Sequence, residues 1–537
     1  MDRRLVLKKS IVVFGVLCLL SVDTNIKGQD FECVTSKIKF ESNEVQSLLI
    51  GTDQVKSTKP NYVEAQIKLN YPDFNYDINS YASRDDLIEA GKEYHSKKNN
   101  ILFKTLGLDK YEDVFIDNYA PLICFAEKWK GINIYNDLAK NHCVSEIVLG
   151  IGKEPSPKFN YATNAIGVKP YIDNGTYDGS GVIVGILETG IVDKDHSNFD
   201  NTDLVIRDEL LVNERKSTHA TMVASIIGGK NGIAPGAKLL SAQLNSRQAS
   251  AINWFLDNKA NVVNMSYGEL DPTGIYSADA AYLDYITIHY SLIFVAAAGN
   301  NNGNVCNPGL AYNTICVGAS NTNDFLATDF SSYEVITGPE KPNILAPGDL
   351  MSIPGIQGSF EGTSISTAIV TGCIALLYER APALTVYPDR LLGVLYANSE
   401  VSQSDFQSGV LEYCGAGRIN FAKCLQNWTN YFHKCINFTY TYNYDYHINL
   451  TQGDELTATF TWLVSSTGAV NSVQFTNYDL YLRDLETNEV LTSSASTNNN
   501  VEIIRYVIPK TGQYSIDIRQ VGSQVRSDLV SLYYRID

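Results

Sequence analysis

A chain of 537 residues is too long for one hydrophobic core, so several domains are required. Hydrophobic residues at 44% and charged residues at 19% are ordinary globular proportions, which excludes disorder over any large part. A formal net charge of -17 excludes nucleic acid as a partner, because its phosphates would be repelled, and does not favour an anionic membrane surface.

At the start, Arg3, Arg4, Lys8 and Lys9 precede an apolar run from Ile11 to Val22. This is the charged and then apolar pattern of a secretory signal peptide, expected over residues 1–28, with a retained signal anchor as the alternative. No later segment is apolar for the roughly 18 residues that a membrane helix needs. The mature protein is therefore expected outside the cytosol, secreted, with no transmembrane segment. Of the ten cysteines, Cys18 lies in the leader and an odd number remains. An oxidising compartment would pair some of them, with Cys306/Cys316 and Cys414/Cys424 or Cys424/Cys435 as candidates. No CxxC and no histidine-rich cluster suggests zinc.

Residues 29–155 read as a small α+β domain. "YVEAQIKL" alternates like a strand, and the stretch 83–108 is polar and helical behind a serine cap. "EDVFIDNYAPLICFAE" is strand-like with a proline interruption, "INIYNDLAKN" is helical, and "VSEIVLGI" is a further strand. Residues 156–427 then carry near-continuous Val, Ile, Leu and Ala runs alternating with helical stretches. Strands of that kind are covered on both faces, so an α/β domain with a parallel sheet and helices on both sides is expected. Residues 430–537 are rich in Tyr, Thr and Asn and alternate in short runs, the pattern of a β-sandwich or jelly roll able to fold by itself.

Three residues of the middle domain suggest nucleophilic catalysis. Ser364 follows Gly362 and Thr363 at the mouth of an apolar, small-residue helix, whose first amides can donate to an oxyanion. His219 stands at another helix start and could take the serine proton. Glu188, ending the strand "GVIVGILE", is a carboxylate able to hold the imidazole in the right tautomer. The order acid, histidine, serine is that of subtilisin.

The region from about 181 to 424 resembles the subtilisin family of serine proteases. Glu188, Thr189 and Gly190 match that family's Asp-Thr-Gly motif, with glutamate where aspartate is usual, and His196 follows. His219, Ala220 and Thr221 match its His-Gly-Thr motif, and Gly362 to Ser366 match Gly-Thr-Ser-Met-Ala. "VVNMSYG" is similar to the substrate-binding strand and "AAAGN" to the segment carrying the oxyanion asparagine, here Asn300. The resemblance implies a Ser364 nucleophile, a His219 base and Asn300 in the oxyanion hole, with Glu188 orienting His219. It implies a peptide-binding pocket from Ser266, Tyr267, Gly268, Ala297, Ala298 and Gly299; no acidic residue is obviously positioned in it, and an apolar preference is the expectation. It also implies that the N-terminal domain is a propeptide that inhibits the enzyme until cleaved, a permanent domain being the alternative. The expected activity is a secreted endopeptidase acting on protein or peptide substrates. The competing expectation is a catalytically impaired relative serving as a binding or adhesion module. No cofactor is expected; calcium is frequent in the family, but no acidic loop here has a recognisable spacing for it. Asp193 and Asp195 are the nearby carboxylates that could substitute for Glu188.

Overall fold

The computed structural model describes residues 38–40, 62–69, 84–108, 114–116, 122–128, 133–152, 159–207, 216–244, 248–268, 272–402, 406, 413–429, 431–437, 443–466, 475–522 and 527–537. The expected leader, residues 1–28, lies outside them. The chain divides into two compact units, Met1–Lys153 and Glu154–Asp537.

In the first unit, the strands are β1 (Ile38–Phe40), β2 (Tyr62–Leu69), β3 (Val114–Ile116), β4 (Leu122–Lys128) and β5 (Val144–Gly152). They form a sheet of order β1-β5-β2-β4-β3. Helix α1 (Arg84–Thr105) lies between β2 and β3 in sequence, and α2 (Asn133–Ala139) between β4 and β5. The alternation seen in "YVEAQIKL" faces Ala65, Ile67 and Leu69 into the core. The strand-like stretch "EDVFIDNYAPLICFAE" contains β3 and β4, and its proline lies outside the described residues. The short strand β1 carries no alternation long enough to be seen in the sequence.

The second unit opens with α3 (Phe159–Ala165) and α4 (Lys169–Asp173). Its main strands are β6 (Ile183–Glu188), β7 (Leu204–Ile206), β8 (Lys238–Gln243), β9 (Val262–Met265), β10 (Ile293–Ala297), β11 (Ile315–Ser320) and β12 (Ile344–Pro347). The two-residue strands β13 (Met351–Ser352) and β14 (Ser359–Phe360) pair with each other, and β15 (Ser399–Glu400) and β16 (Arg418–Ile419) extend the large sheet. That sheet has nine strands in the order β15-β16-β12-β11-β10-β9-β6-β8-β7, and every pair is parallel except β15 with β16. Helices α5 (Thr218–Gly228), α6 (Gln248–Asp257), α7 (Ala278–Tyr290) and α8 (Thr363–Arg380) accompany it. Two separate cores pack its two faces, one around Val184, Ile186 and α8, the other around Leu187, Val263 and Phe255. The strand order reverses at β6, which lies between β8 and β9. In open parallel sheets the ends of the strands beside such a reversal form the natural binding crevice.

After α9 (Pro388–Ala397) and α10 (Phe421–Asn427), the remaining strands are β17 (Tyr431–Asn437), β18 (Asn443–Leu450), β19 (Glu455–Trp462), β20 (Asn477–Asp484), β21 (Val490–Ser494), β22 (Val501–Val507), β23 (Gly512–Val521) and β24 (Ser527–Ile536). They form two antiparallel sheets, β17-β24-β19-β22 and β18-β23-β20-β21. Leu456, Ala458, Phe460 and Trp462 alternate into the core shared by the two sheets. The intervening threonines are buried too, because the outer face of that sheet lies on α9. Thr459 Oγ1 donates to the Gly393 carbonyl at 3.2 Å and Thr461 Oγ1 to the Asp389 carbonyl at 2.7 Å. A Cβ on Gly393 would stand 3.3 Å from Tyr533 Cβ, so glycine lets helix and sheet approach. The Tyr533 hydroxyl accepts from Asn398 Nδ2 at 3.0 Å and donates to the Asn427 carbonyl at 2.6 Å. Leu463, Val501, Ile503 and Tyr533 belong to the same hydrophobic cluster as α8. The sandwich therefore shares a core with the α/β layers.

Cys316 and Cys424 carry free thiols, so none of the expected Cys306/Cys316, Cys414/Cys424 and Cys424/Cys435 bridges is formed. Both sulfurs are sealed in apolar packing, and burial pushes the Cys316 thiol up to about 12. Among the described residues no helix is long and apolar enough to cross a membrane.

Residues 154–537 should unfold as one cooperative transition in denaturant. Tyr533→Phe, which removes the hydroxyl that joins the buried Asn398 amide to the half-buried Asn427 carbonyl, should destabilise that whole unit by about 1–2 kcal/mol. Separate transitions for the α/β layers and the sandwich, read by fluorescence and far-UV circular dichroism, would contradict the shared core.

Candidate active site

Glu188 is the last residue of β6, where the apolar run ends and the chain turns out of the sheet. Its side chain is only 1% exposed, so its charge depends on internal donors. His219 supplies one: its Nδ1 lies 3.1 Å from Glu188 Oε2. The other comes from the strand next door, where the Ser266 amide donates to Glu188 Oε1 at 2.9 Å. The extra methylene of glutamate over aspartate is thus accommodated with both carboxylate oxygens engaged.

His219 is the second residue of α5. Ser217 caps that helix by accepting from the Ala220 amide at 3.2 Å, which fixes where the histidine leaves the backbone. The imidazole is 40% exposed, so one ring edge reaches Glu188 and the rest is open to a ligand. Burial by itself pulls the imidazole down, but the hydrogen bond and negative charge of Glu188 outweigh it and hold its pKa above the ordinary 6.5. Asp193 and Asp195 do not compete for this role. Both are tied at 2.7 Å to Lys216 on the surface. His196 is likewise occupied, its Nδ1 accepting from the Asn198 amide at 3.3 Å in a short 3-10 turn.

Ser364 occupies the second position of α8, a helix of 18 residues that is buried along almost its whole length. Gly362 begins it with φ +143°, a conformation that side-chain-bearing residues rarely adopt. Ser364 Oγ donates to the Ser266 carbonyl at 3.0 Å, and Ser266 Oγ donates back to the Ser364 carbonyl at 3.0 Å. The serine hydroxyl is therefore bonded to the segment just past β9, and among the described residues no hydrogen bond joins it to His219.

Asn300 follows the positive-φ Gly299 just past β10. Its Oδ1 accepts from the Thr363 amide at 2.9 Å and from Thr363 Oγ1 at 2.8 Å. Because both partners are donors, the oxygen must face them, and the amide nitrogen is left as the free donor beside the N-terminus of α8. The expected site residues thus converge from β6, α5, the ends of β9 and β10, and α8.

A cavity of about 220 Å³ adjoins them, lined by Ser266, Tyr267, Gly268, Ala297 and Gly299, together with Asn300, Thr363 and Ser364. Tyr267 is held by its hydroxyl donating to Gln248 Oε1 at 2.8 Å. Ala298 is a correction: successive side chains point to opposite sides, and Ala298 packs with Val305, Leu310 and Cys316 away from the cavity. Cys306 lines the cavity, and the motif comparison did not single it out. A Cβ on Gly268 would come 2.5 Å from Cys306 Cβ, and one on Gly299 would come 2.7 Å from its Sγ. Both walls are glycine because the cysteine side chain fills the space between them. Among the described residues the lining holds no charged side chain. Among the described residues no group of three or more His, Cys, Asp or Glu side chains could hold a metal ion.

Residues 179–417 match the model of the subtilase family, Peptidase_S8. Over 240 residues the chain is 30% identical to subtilisin E of Bacillus subtilis (strain 168), which covers 40% of this chain and 60% of that protein. It is also 30% identical over 240 residues to a subtilisin of Bacillus pumilus, covering 40% of this chain and 83% of that protein. Serine protease AprX of Bacillus subtilis (strain 168) is 26% identical over 334 residues, 50% of this chain and 72% of that protein. Among solved structures, the self-cleaved protease domain of PatA is 28% identical, with a TM-score of 0.38 over 46% of this chain and 97% of that one. The chain belongs to the subtilase family. It spans about 60% of the length of relatives such as subtilisin E and subtilisin NAT.

In Glu188→Gln protein the raising contributions vanish while burial remains, so the His219 pKa should fall below its ordinary value. Titrating the imidazole resonances by NMR in wild type and variant tests this, and identical titrations would show that Glu188 does not set the histidine's charge.

Proposed function

We propose that this chain is a secreted serine endopeptidase. The reading rests above all on the buried Glu188 carboxylate bonded to His219 Nδ1 at 3.1 Å, in a family whose members cleave peptides with an acid, a histidine and a serine. Ser364 Oγ attacks the scissile carbonyl carbon while His219 Nε2 removes its proton. Apo sites commonly hold such groups loosely; here the hydroxyl leaves the Ser266 carbonyl for His219 when substrate binds. Glu188 keeps the proton on Nδ1 in the resting state and stabilises the imidazolium that forms. Asn300 Nδ2 and the Ser364 amide donate to the oxyanion, a service typically worth on the order of 10²–10³ in turnover for a side-chain donor. The imidazolium then protonates the leaving amine, and water hydrolyses the acyl-enzyme by the same steps in reverse.

The substrate lies as an added strand along Ser266, Tyr267 and Gly268, and its side chain on the acyl side enters the neighbouring cavity. With no charge among the described lining residues, peptides carrying an apolar residue there should be hydrolysed at least about 10²-fold better in kcat/KM than those carrying lysine or glutamate. A panel of fluorogenic peptides reads this, and a preference for a charged residue would oppose it.

The N-terminal α+β unit acts as the propeptide and intramolecular inhibitor, a reading supported by its order of elements and its place before the family region. The charged and apolar start of the chain directs export. Intact mass of the exported protein should show loss of about 150 N-terminal residues in wild type and their retention in Ser364→Ala. A fluorophosphonate should label wild type only. A wild-type chain that keeps its N-terminal unit, takes no label and hydrolyses no peptide would favour the binding-module alternative.

A further inference from the structure

Ser266 touches both Glu188 and Ser364, and a line of buried hydrogen bonds fixes Ser266 in turn. Its Oγ must donate to the Ser364 carbonyl, 3.0 Å away, because that oxygen has no proton to give. It therefore accepts from its other neighbour, Asn264 Nδ2, at 2.9 Å. That orientation leaves Asn264 Oδ1 facing Thr371 Oγ1 at 3.0 Å, and the threonine must be the donor. The line runs one way, from Thr371 to Asn264 to Ser266 to Ser364. Thr371 and Asn264 are 0% exposed and Ser266 3%.

The placement of these residues gives the line a purpose. Thr371 and Ser364 are seven residues apart on α8, almost two helical turns, so they share one face. The line leaves the helix at Thr371, passes through β9 at Asn264 and returns to the helix at its first turn. Thr371 Oγ1 also lies 2.9 Å from the Thr367 carbonyl, the intrahelical partner a helical threonine ordinarily uses. Its one proton is therefore shared between the Thr367 carbonyl and Asn264 Oδ1, and the share given to Asn264 ties the helix to β9. Asn264 sits in a strand buried on both sides, where an amide is costly unless its polar atoms are paired.

We infer that Asn264 and Thr371 are positioning residues that lock α8 against β9 and so align Ser364, the Ser266 carbonyl and the Ser266 amide that holds Glu188. The inference rests on the endopeptidase reading above. Neither residue touches the reacting atoms. Their effect reaches the chemistry through Ser266, where displacement by about 1 Å can cost on the order of 10² in rate.

The test is steady-state peptide hydrolysis by the full chain, with active sites counted by fluorophosphonate titration so that misfolded molecules do not enter kcat. Thr371→Val should lower kcat about 10-fold and leave KM within about twofold, and Thr371→Ser, which restores the hydroxyl, should recover most of the loss. Asn264→Ala should act similarly, and the double variant Asn264→Ala/Thr371→Val should be no slower than Asn264→Ala alone, because one line is broken once. Three results would overturn the inference: a Thr371→Val kcat within about twofold of wild type, a loss that Thr371→Ser does not recover, or single losses that multiply in the double variant. Wild type that neither hydrolyses peptides nor takes the label overturns the endopeptidase reading and this role with it. Active wild type with an indifferent Thr371→Val overturns the role alone.

Discussion

A carboxylate that is almost wholly buried must be surrounded by donors, and this constraint organises the site. Glu188 ends a central strand, so its charge cannot reach solvent. Its two oxygens are served by an imidazole from the start of α5 and by a backbone amide from the segment just past β9. Those two donors arrive from different sides of the point where the strand order reverses. The charge is tolerable only if both elements are in place, which links the chemistry of the acid to the packing of the sheet.

The same logic extends outward through Ser266, whose carbonyl, amide and hydroxyl are all used. Helix α8 presents its serine at the first turn, and from Ile365 to Tyr378 every residue is buried. Such a helix has little freedom to slide, and its polar ties to β9 select one position among otherwise similar apolar contacts. Glycine enters where backbone must come close: Gly362 starts the helix at positive φ, and Gly268 and Gly299 yield their side-chain space to Cys306.

The C-terminal sandwich obeys a different constraint. A strand in a sandwich ordinarily shows one apolar and one solvated face, but β19 has both faces buried. The second face carries threonines, and the hydroxyls of Thr459 and Thr461 meet carbonyl groups of α9. Deep in this junction the Tyr533 hydroxyl replaces the water that Asn398 and the Asn427 carbonyl would otherwise need. The two layers therefore share buried contacts, although their sequence textures differ sharply.

Much of this was legible in the sequence. The buried parallel strands announce themselves as continuous apolar runs, the helix starts through His219 and Gly362, and the short motifs around Glu188, His219, Asn300 and Ser364 state which side chains meet. Local patterns suffice there because periodicity, capping and turn chemistry act over a few residues. What the chain alone left open depends on distant partners. Whether Glu188 or the aspartates that follow it would face His219 was decided by Lys216, which holds both aspartates at the surface. That Cys306 and not Ala298 lines the cavity depends on which way each side chain turns after β10. The cysteines near one another in sequence stay unbridged because the fold seals Cys316 and Cys424 in its core. The threonines of "ELTATFTW" read as a solvated face until α9, some sixty residues earlier in the chain, is placed against them. Sequence determines what each segment can bury and what chemistry it can carry; only tertiary contact decides which polar group serves which, because burial and hydrogen bonding are properties of pairs.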